Sequence, residues 1–532
     1  MSRVRLAASS VSLFFFLATV FAQPPAYDIL IRGALVIDGS GARPRTADIA
    51  VSGDTIALVG DAADASARLV IDARGLAAAP GFNDIHTHAD RGILERPQAE
   101  NYVRQGVTTL ISGQDGGSPL PLGPFLERVS STPTAVNFGM LAGQGSVRRA
   151  VIGLVNRRAT AAEIQKMKAL VRQAMEDGAF GISTGLFYIP GSYTPTEEIV
   201  ELAKVVAEYG GFHCSHMRDE AAGILDSVRE CIRIGEDGGL PTQLTHHKII
   251  GPKNWGLSVK TLELVEAARR RGVDVTIDQY PYTASSTGTR ALFPQWAQEG
   301  GRDGLLERLA DPTTRARIKA GIVERLKFDR GGGDPKNVVL VECEFDETLA
   351  GKNLAEVTRA RGRAVTFEDA AETVIEIEEA GGCSAVYHAI SEEDVRRIMR
   401  FPYTMIASDG SLPEFGKGVP HPRSYGTFPR VLGRYVREWR VLTLEDAVRK
   451  MTSLPASRLG LEDRGLLRKG MKADIVIFSP ERVRDTATWL EPHQYPVGIR
   501  HVLVNGELVL RDGRMTDARP GRVLYGPGRE SP

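Results

Sequence analysis

At 532 residues the chain is too long for one small domain and suits a large α/β barrel with an accessory domain. Its 66 basic and 66 acidic residues balance, and no run of Lys and Arg is long enough to form a phosphate-binding stripe. Nucleic acid is therefore excluded as the expected partner.

The first segment, MSRVRLAASSVSLFFFLATVFAQPP, carries Arg3 and Arg5, an apolar stretch from Val11 to Phe21, and the small-residue pattern ending at Ala22. This order predicts a secretory signal peptide over 1–22 and an exported protein, periplasmic or secreted. The apolar stretch is shorter than the roughly 20 residues a spanning helix needs, so no stable membrane span is expected. The four cysteines, Cys214, Cys231, Cys343 and Cys383, are scattered. An exported chain of this length needs no disulfide framework, so most or all are expected free, with a Cys343–Cys383 pair left open.

Next come short β-branched runs, YDILIRGALVIDG, TADIAVSGDTIALVG and RLVIDARGLAAAPG, separated by Gly and Asp turns. A matching set, KADIVIFSP and IRHVLVNGELVLRDGRM, closes the chain, with Asn505-Gly506 as a hairpin signal. Together they predict a small β-sandwich domain over 23–79 and 455–532. Between them strands alternate with amphipathic helices: GFNDIHTH, GVTTLIS, TAVNFGML, GAFGIST, GGFHCSH, PTQLTHH, VDVTIDQY and YTMIASDG. Eight such runs predict a TIM-like (β/α)8 barrel over 80–454. A helical, charged, Gly-rich stretch at about 288–337 reads as an insertion.

In such barrels the carboxyl ends of the strands converge on one face. Those ends carry His86 and His88, Asp115, His216, His246 and Asp409. His-x-His puts both imidazoles on one side of a strand, because side chains alternate. Imidazoles and carboxylates together suit Zn²⁺, which acidifies a bound water to a pKa of about 7. The competing reading of Asp115, in GVTTLISGQDGGS, is a turn cap.

The motifs PGFNDIHTHAD, SHMRDE, THHKIIG, DQYPYTASST, ASDG and HPRSYGTFPRVLGRYVRE, with the tail GLLRKGMKADIVIFSP, resemble the N-acyl-D-amino-acid deacylases (D-aminoacylases) of the amidohydrolase superfamily. The resemblance spans about Tyr27 to Tyr525. It implies metal-dependent hydrolysis of the amide of N-acyl-D-amino acids, the D preference resting on the resemblance alone. Its partner is a small N-acylated amino acid with a free carboxylate. Where D-aminoacylases carry Gly-Asn-Cys-Gly, with the cysteine a zinc ligand, this chain has Gly113-Gln114-Asp115-Gly116. A carboxylate is a harder ligand that can bridge two ions, so one or two Zn²⁺ or Mn²⁺ are the expected cofactors. No lysine ends the fourth strand, where hydantoinases and dihydroorotases keep a carboxylated bridging lysine.

The resemblance further implies Asp409 as the proton carrier, with His247 helping to polarise the acyl carbonyl. Lys248 and Tyr280 match the family's carboxylate-binding positions, and Ser286 and Arg290 are weaker candidates. Arg218 and Glu220 are expected to orient ligands. His421 and Arg423 are expected at the pocket mouth or in a structural role, and His213 in the core. Two rivals stand beside this reading: an amidohydrolase for a cyclic amide or unusual dipeptide, and a non-catalytic exported binding protein.

Overall fold

The computed structural model describes residues 26–529, so the expected signal peptide lies outside the described residues. Among those described, no helix is long and apolar enough to cross a membrane.

Strands β1 (Tyr27–Val36), β2 (Arg45–Ser52), β3 (Thr55–Gly60), β4 (Ala67–Asp72) and β5 (Ala77–Pro80) open the chain. The barrel strands follow as β6 (Phe82–Asp84), β7 (Val107–Ser112), β8 (Asn137–Met140), β9 (Ala142–Gly143), β10 (Gly181–Gly185), β11 (Phe212–His216), β12 (Thr242–Leu244) and β13 (Val275–Gln279). Then come β14 (Ser285–Gly288), β15 (Val338–Glu342), β16 (Ser384–Tyr387) and β17 (Thr404–Ile406). Strands β18 (Ile475–Phe478), β19 (Ile499–Val504), β20 (Glu507–Arg511) and β21 (Arg514–Met515) complete the set.

The two chain ends meet where β5 pairs antiparallel with β18, giving one nine-stranded sheet. Its core gathers Ile31, Ile49, Ile56, Ile71, Ile475 and Leu503, so the sheet folds over a single apolar interior. Asn505 and Gly506 form the two-residue turn between β19 and β20, both at positive φ, as the twist of a tight hairpin requires. After β21 the chain returns to the barrel, where Val523 bridges to Phe138.

Within the barrel β6, β7 and β8 run parallel, as do β9 to β13 and β17. Leu141 interrupts the third barrel strand, splitting it into β8 and β9. The ring closes through a parallel bridge between Thr87 and Gly410. Strands β7, β10, β11 and β13 are buried along their whole length, because helices cover their outer face and side chains fill the interior. The helix Ala161–Glu176 starts with a capping box in which Thr160 and Glu163 satisfy each other's backbone N–H groups.

The inserted segment is larger than the expected 288–337. It runs from β14 through β16, with its own antiparallel sheet β14-β16-β15 and its own core of Leu292, Phe293, Ile318, Ile322, Leu340 and Ile375. VVLVE and SAVY look like barrel strands in isolation, but they pair with each other across about 40 residues. Cys343 and Cys383 form a disulfide at that junction, the alternative the sequence left open, while Cys214 and Cys231 are free and buried.

Candidate metal centre

Backbone contacts between neighbouring strands fix the donors before any side chain acts. Asp409 N–H donates to the His86 carbonyl at 2.9 Å and His88 N–H to the Gly410 carbonyl at 2.7 Å, so the first and last strands hold each other's donors in register. The turn after β7 is packed against two backbones. A Cβ on Gly113 would lie 2.3 Å from the Leu141 carbonyl oxygen, and one on Gly185 would lie 2.0 Å from that of Asp115. Glycine therefore lets three strand ends close on Asp115. Asp115, His246 and Asp409 all sit at positive φ, of 56°, 36° and 51°. Backbone strain of this kind gathers where surrounding structure forces a functional geometry.

Five of the six donors, His88, Asp115, His216, His246 and Asp409, line one cavity of about 770 Å3, and His86 lies buried behind them. They fall into two overlapping groups, His86, His88, Asp115 and Asp409, and Asp115, His216 and His246. In each group the donor atoms lie within 4.8 Å of one another. Asp115 belongs to both. Its Oδ1 lies 3.3 Å from His246 Nε2 and 3.6 Å from His86 Nε2, while Oδ2 lies 3.5 Å from His216 Nδ1 and 3.6 Å from His88 Nε2. Buried His86 Nε2 and Asp115 Oδ1 have no hydrogen-bond partner among the described residues. Buried polar atoms are almost always satisfied, so these orphans, with imidazole nitrogens of His216 and His246 facing each other at 2.8 Å, fit a divalent cation. Among the described residues Asp115 Oδ1 caps no backbone N–H, which disfavours the turn-cap reading.

Charge inside the site is sharply divided. Burial would raise Asp115, but His246 and His216 outweigh it and hold the carboxyl well below the usual range. Burial likewise opposes the ionised form of Asp409, where Arg423 and His86 prevail and lower it. Burial pushes His216 down to about 4. Burial and Lys248 pull His246 down, yet Asp115 and Glu220 raise it to about 10.

This geometry matches a known group. The model of the amidohydrolase family matches residues 69–510. The D-aminoacylase of Alcaligenes xylosoxydans xylosoxydans is 38% identical over 94% of this chain and 97% of its own. The N-acyl-D-aspartate deacylase of the same organism is 37% identical over 97% of this chain and 98% of its own. The chain belongs to the amidohydrolase family, in its D-aminoacylase group. Among solved structures, the N-acyl-D-glutamate deacylase of Bordetella bronchiseptica, complexed with zinc and a phosphonate mimic of the tetrahedral intermediate, superposes on this amidohydrolase with a TM-score of 0.81. It is 36% identical over 94% of this chain and 99% of its own.

Several expected residues of this amidohydrolase stand elsewhere. His247 points out of the barrel, where its Nε2 meets Thr261 Oγ1 at 2.9 Å and burial lowers it to about 3. In the turn after β12, His247 is held against Thr261 on the helix side and does not line the cavity, so it is not placed to polarise a substrate carbonyl. Lys248 does line the cavity, buried in its wall, and its Nζ lies 2.5 Å from Glu220, 2.7 Å from His246 Nδ1 and 2.8 Å from the His246 carbonyl. Its ammonium thus backs His246 at the cavity wall. Arg290 lies outside the metal cavity, its guanidinium 2.7 Å from buried Glu378. Arg218 pairs with Glu230 at 2.8 Å, away from the donors.

Tyr280 and Ser286 line the cavity, and Tyr280 Oη is buried without a partner. Glu220 stands behind both imidazoles, 3.6 Å from His216 Nε2 and 3.3 Å from His246 Nδ1. His213 is core, held between Thr184 and Thr242. His421 lines the cavity and bonds the Ala284 carbonyl at 3.0 Å. Three contributors escaped the sequence reading or were underrated. Asp278 accepts from His246 N–H at 2.7 Å and lies 3.5 Å from His86 Nδ1. Arg330, from the insertion, lies 3.1 Å from Glu220, and Arg423 lies 2.7 Å from Asp409. Asp278, a carboxylate within the strand run VDVTIDQY, and Arg423, in the motif HPRSYGTF, had local signals, and Arg330 had none.

Proposed function

We propose that this chain hydrolyses N-acyl-D-amino acids to a carboxylate and a free D-amino acid, with His86, His88, Asp115, His216, His246 and Asp409 holding one or two zinc ions. The observation that carries this reading is the shared carboxylate of Asp115, common to both donor groups. A bound divalent cation supplies Lewis acidity, lowering the pKa of a water and polarising the acyl carbonyl.

The protein's own residues do the rest. Asp409 lines the cavity 2.7 Å from Arg423, placed for its carboxylate to take a proton from the attacking water and return it to the leaving amine. Tyr280, with a free hydroxyl in the cavity wall, and Arg423, stacked 4.9 Å over the Tyr280 ring, form the corner suited to the substrate carboxylate. Burial keeps the Tyr280 hydroxyl protonated and able to donate. Glu220 fixes the two imidazoles from behind. The signal segment supports an exported enzyme, tested by sequencing the N-terminus of protein recovered outside the cytoplasm.

The decisive test is amine release from matched N-acetyl-D- and N-acetyl-L-amino acids by protein loaded with Zn²⁺, Mn²⁺ or no metal. Metal-dependent release from the D series alone is expected. Release from neither series under any metal rejects the deacylase reading.

A further inference from the structure

The segment 411–421, between the last barrel strand and the helix Arg423–Arg430, has no helix or strand of its own. Leu412, Lys417, Gly418, Pro420 and His421 nevertheless line the metal cavity. Arg423, just beyond, holds Asp409 at 2.7 Å and lies 4.9 Å over the Tyr280 ring. Backbone without a ladder takes its place from the side chains around it.

Those side chains come from the terminal β-domain. The connection between β18 and β19, residues 479–498, is closed at its neck, where Arg484 and Val497 exchange backbone hydrogen bonds of 3.1 and 3.2 Å. It is fastened to the barrel where Asp485 meets Arg430 at 2.7 Å. Two side chains of this loop reach the irregular segment. His493 Nε2 donates to the carbonyls of Lys417 and Gly418, each at 3.1 Å, and its Nδ1 accepts from the Tyr425 hydroxyl at 2.9 Å. A neutral imidazole has one donor and one acceptor, and both are used. Trp489 stands edge-on to His421 with ring centroids 4.8 Å apart, and also packs on Tyr282 at 5.8 Å and on His388, just after β16, at 4.7 Å. His421 passes this constraint on. Its Nε2 donates to the Ala284 carbonyl and its Nδ1 accepts from Arg423 N–H, both at 3.0 Å. Trp489 thereby fixes the ring that fixes the backbone of Arg423.

We propose that the loop 479–498 is a brace for the reaction, with Trp489 and His493 as positioning residues that hold Arg423 against Asp409 and Tyr280. Neither residue lines the cavity, so each acts only through its neighbours. The inference rests on the deacylase reading and deepens it, because the corner assigned to the substrate carboxylate is then completed by a domain that supplies no metal donor. When Arg423 shifts, Asp409 keeps His88 at 3.1 Å and its own N–H on the His86 carbonyl. The effect therefore falls on substrate binding more than on proton transfer.

The test is steady-state kinetics of the zinc-loaded enzyme on one N-acetyl-D-amino acid, with bound zinc measured by elemental analysis. Trp489→Ala is expected to raise KM about tenfold with kcat within about threefold, the cost of a small displacement of a binding group. Trp489→Phe keeps an aromatic edge against His421 and is expected to bring KM back to within about threefold of the unaltered enzyme. His493→Ala removes hydrogen bonds with little apolar packing, and is expected to raise KM about fivefold with zinc unchanged. It decides alone if Trp489→Ala does not fold. An unmoved KM, a fall in kcat alone, no recovery with Trp489→Phe, or loss of zinc overturns this inference and leaves the deacylase reading standing. No release from any N-acetyl-D-amino acid by the unaltered enzyme overturns both.

Discussion

The two donor groups that share Asp115 are backed in different ways. Behind His216 and His246 stands a closed network in which Glu220 meets Lys248 and Arg330, and the two imidazole side chains are 4% and 2% exposed. Beside Asp409 stand Arg423 at 2.7 Å and His86 at 3.5 Å, and His88, its neighbour at 3.1 Å, is 17% exposed toward the cavity. The first arrangement is a rigid anchor, whose charges are matched within the protein. The second keeps its groups available to something that enters. Binding a cation and moving a proton are different tasks, and the fold gives each its own side of one carboxylate.

Removing the shared carboxylate should abolish that division. Asp115→Ala is expected to empty both sides and to lower kcat/KM by on the order of 10³-fold or more, with bound metal measured by elemental analysis. Asp115→Cys sharpens the comparison, because a thiolate suits the imidazole side and is expected to retain one zinc ion there. Asp409→Asn, on the open side, is expected to cut kcat about 10²- to 10⁴-fold while the anchor side keeps its metal. Loss of that metal as well would show that the two sides are not separable.

Lys248→Met tests the closed network. Taking one cation from a buried pair is expected to destabilise the fold by roughly 3 kcal/mol in denaturant titration and to weaken metal retention, with KM staying within about threefold. A tenfold rise in KM with unchanged stability would return Lys248 to the substrate carboxylate. The smallest effect on the centre is expected from joint Cys343→Ser and Cys383→Ser replacement. The disulfide spans 40 residues of the insertion, so its loss should cost about 4 kcal/mol of chain-entropy stabilisation and lower the melting temperature, with metal content unchanged.

The barrel and its six converging donors were legible because their signals are local. A β-branched run between amphipathic helices names its strand, eight such runs have one simple closure, and five of the eight bring His or Asp to their carboxyl ends. The errors came where a side chain's fate depends on distant residues. Arg290 reads as a free cation until Glu378, 88 positions later, takes its guanidinium. The His246-His247 pair offered two donors, and the left-handed turn at His246, held by Asp278, decides which one enters the barrel. The insertion was underestimated because β15 and β16 pair only with distant segments of the insertion.

The left-handed backbone at Asp115, His246 and Asp409 has a consequence for how this protein can change. A non-glycine residue in that conformation carries roughly 1–2 kcal/mol of strain, which glycine at the same position would release. Selection for heat resistance alone would therefore favour substitutions at half of the donors, and would dismantle the metal centre while improving the scaffold. Retention of all three side chains records a pressure other than stability.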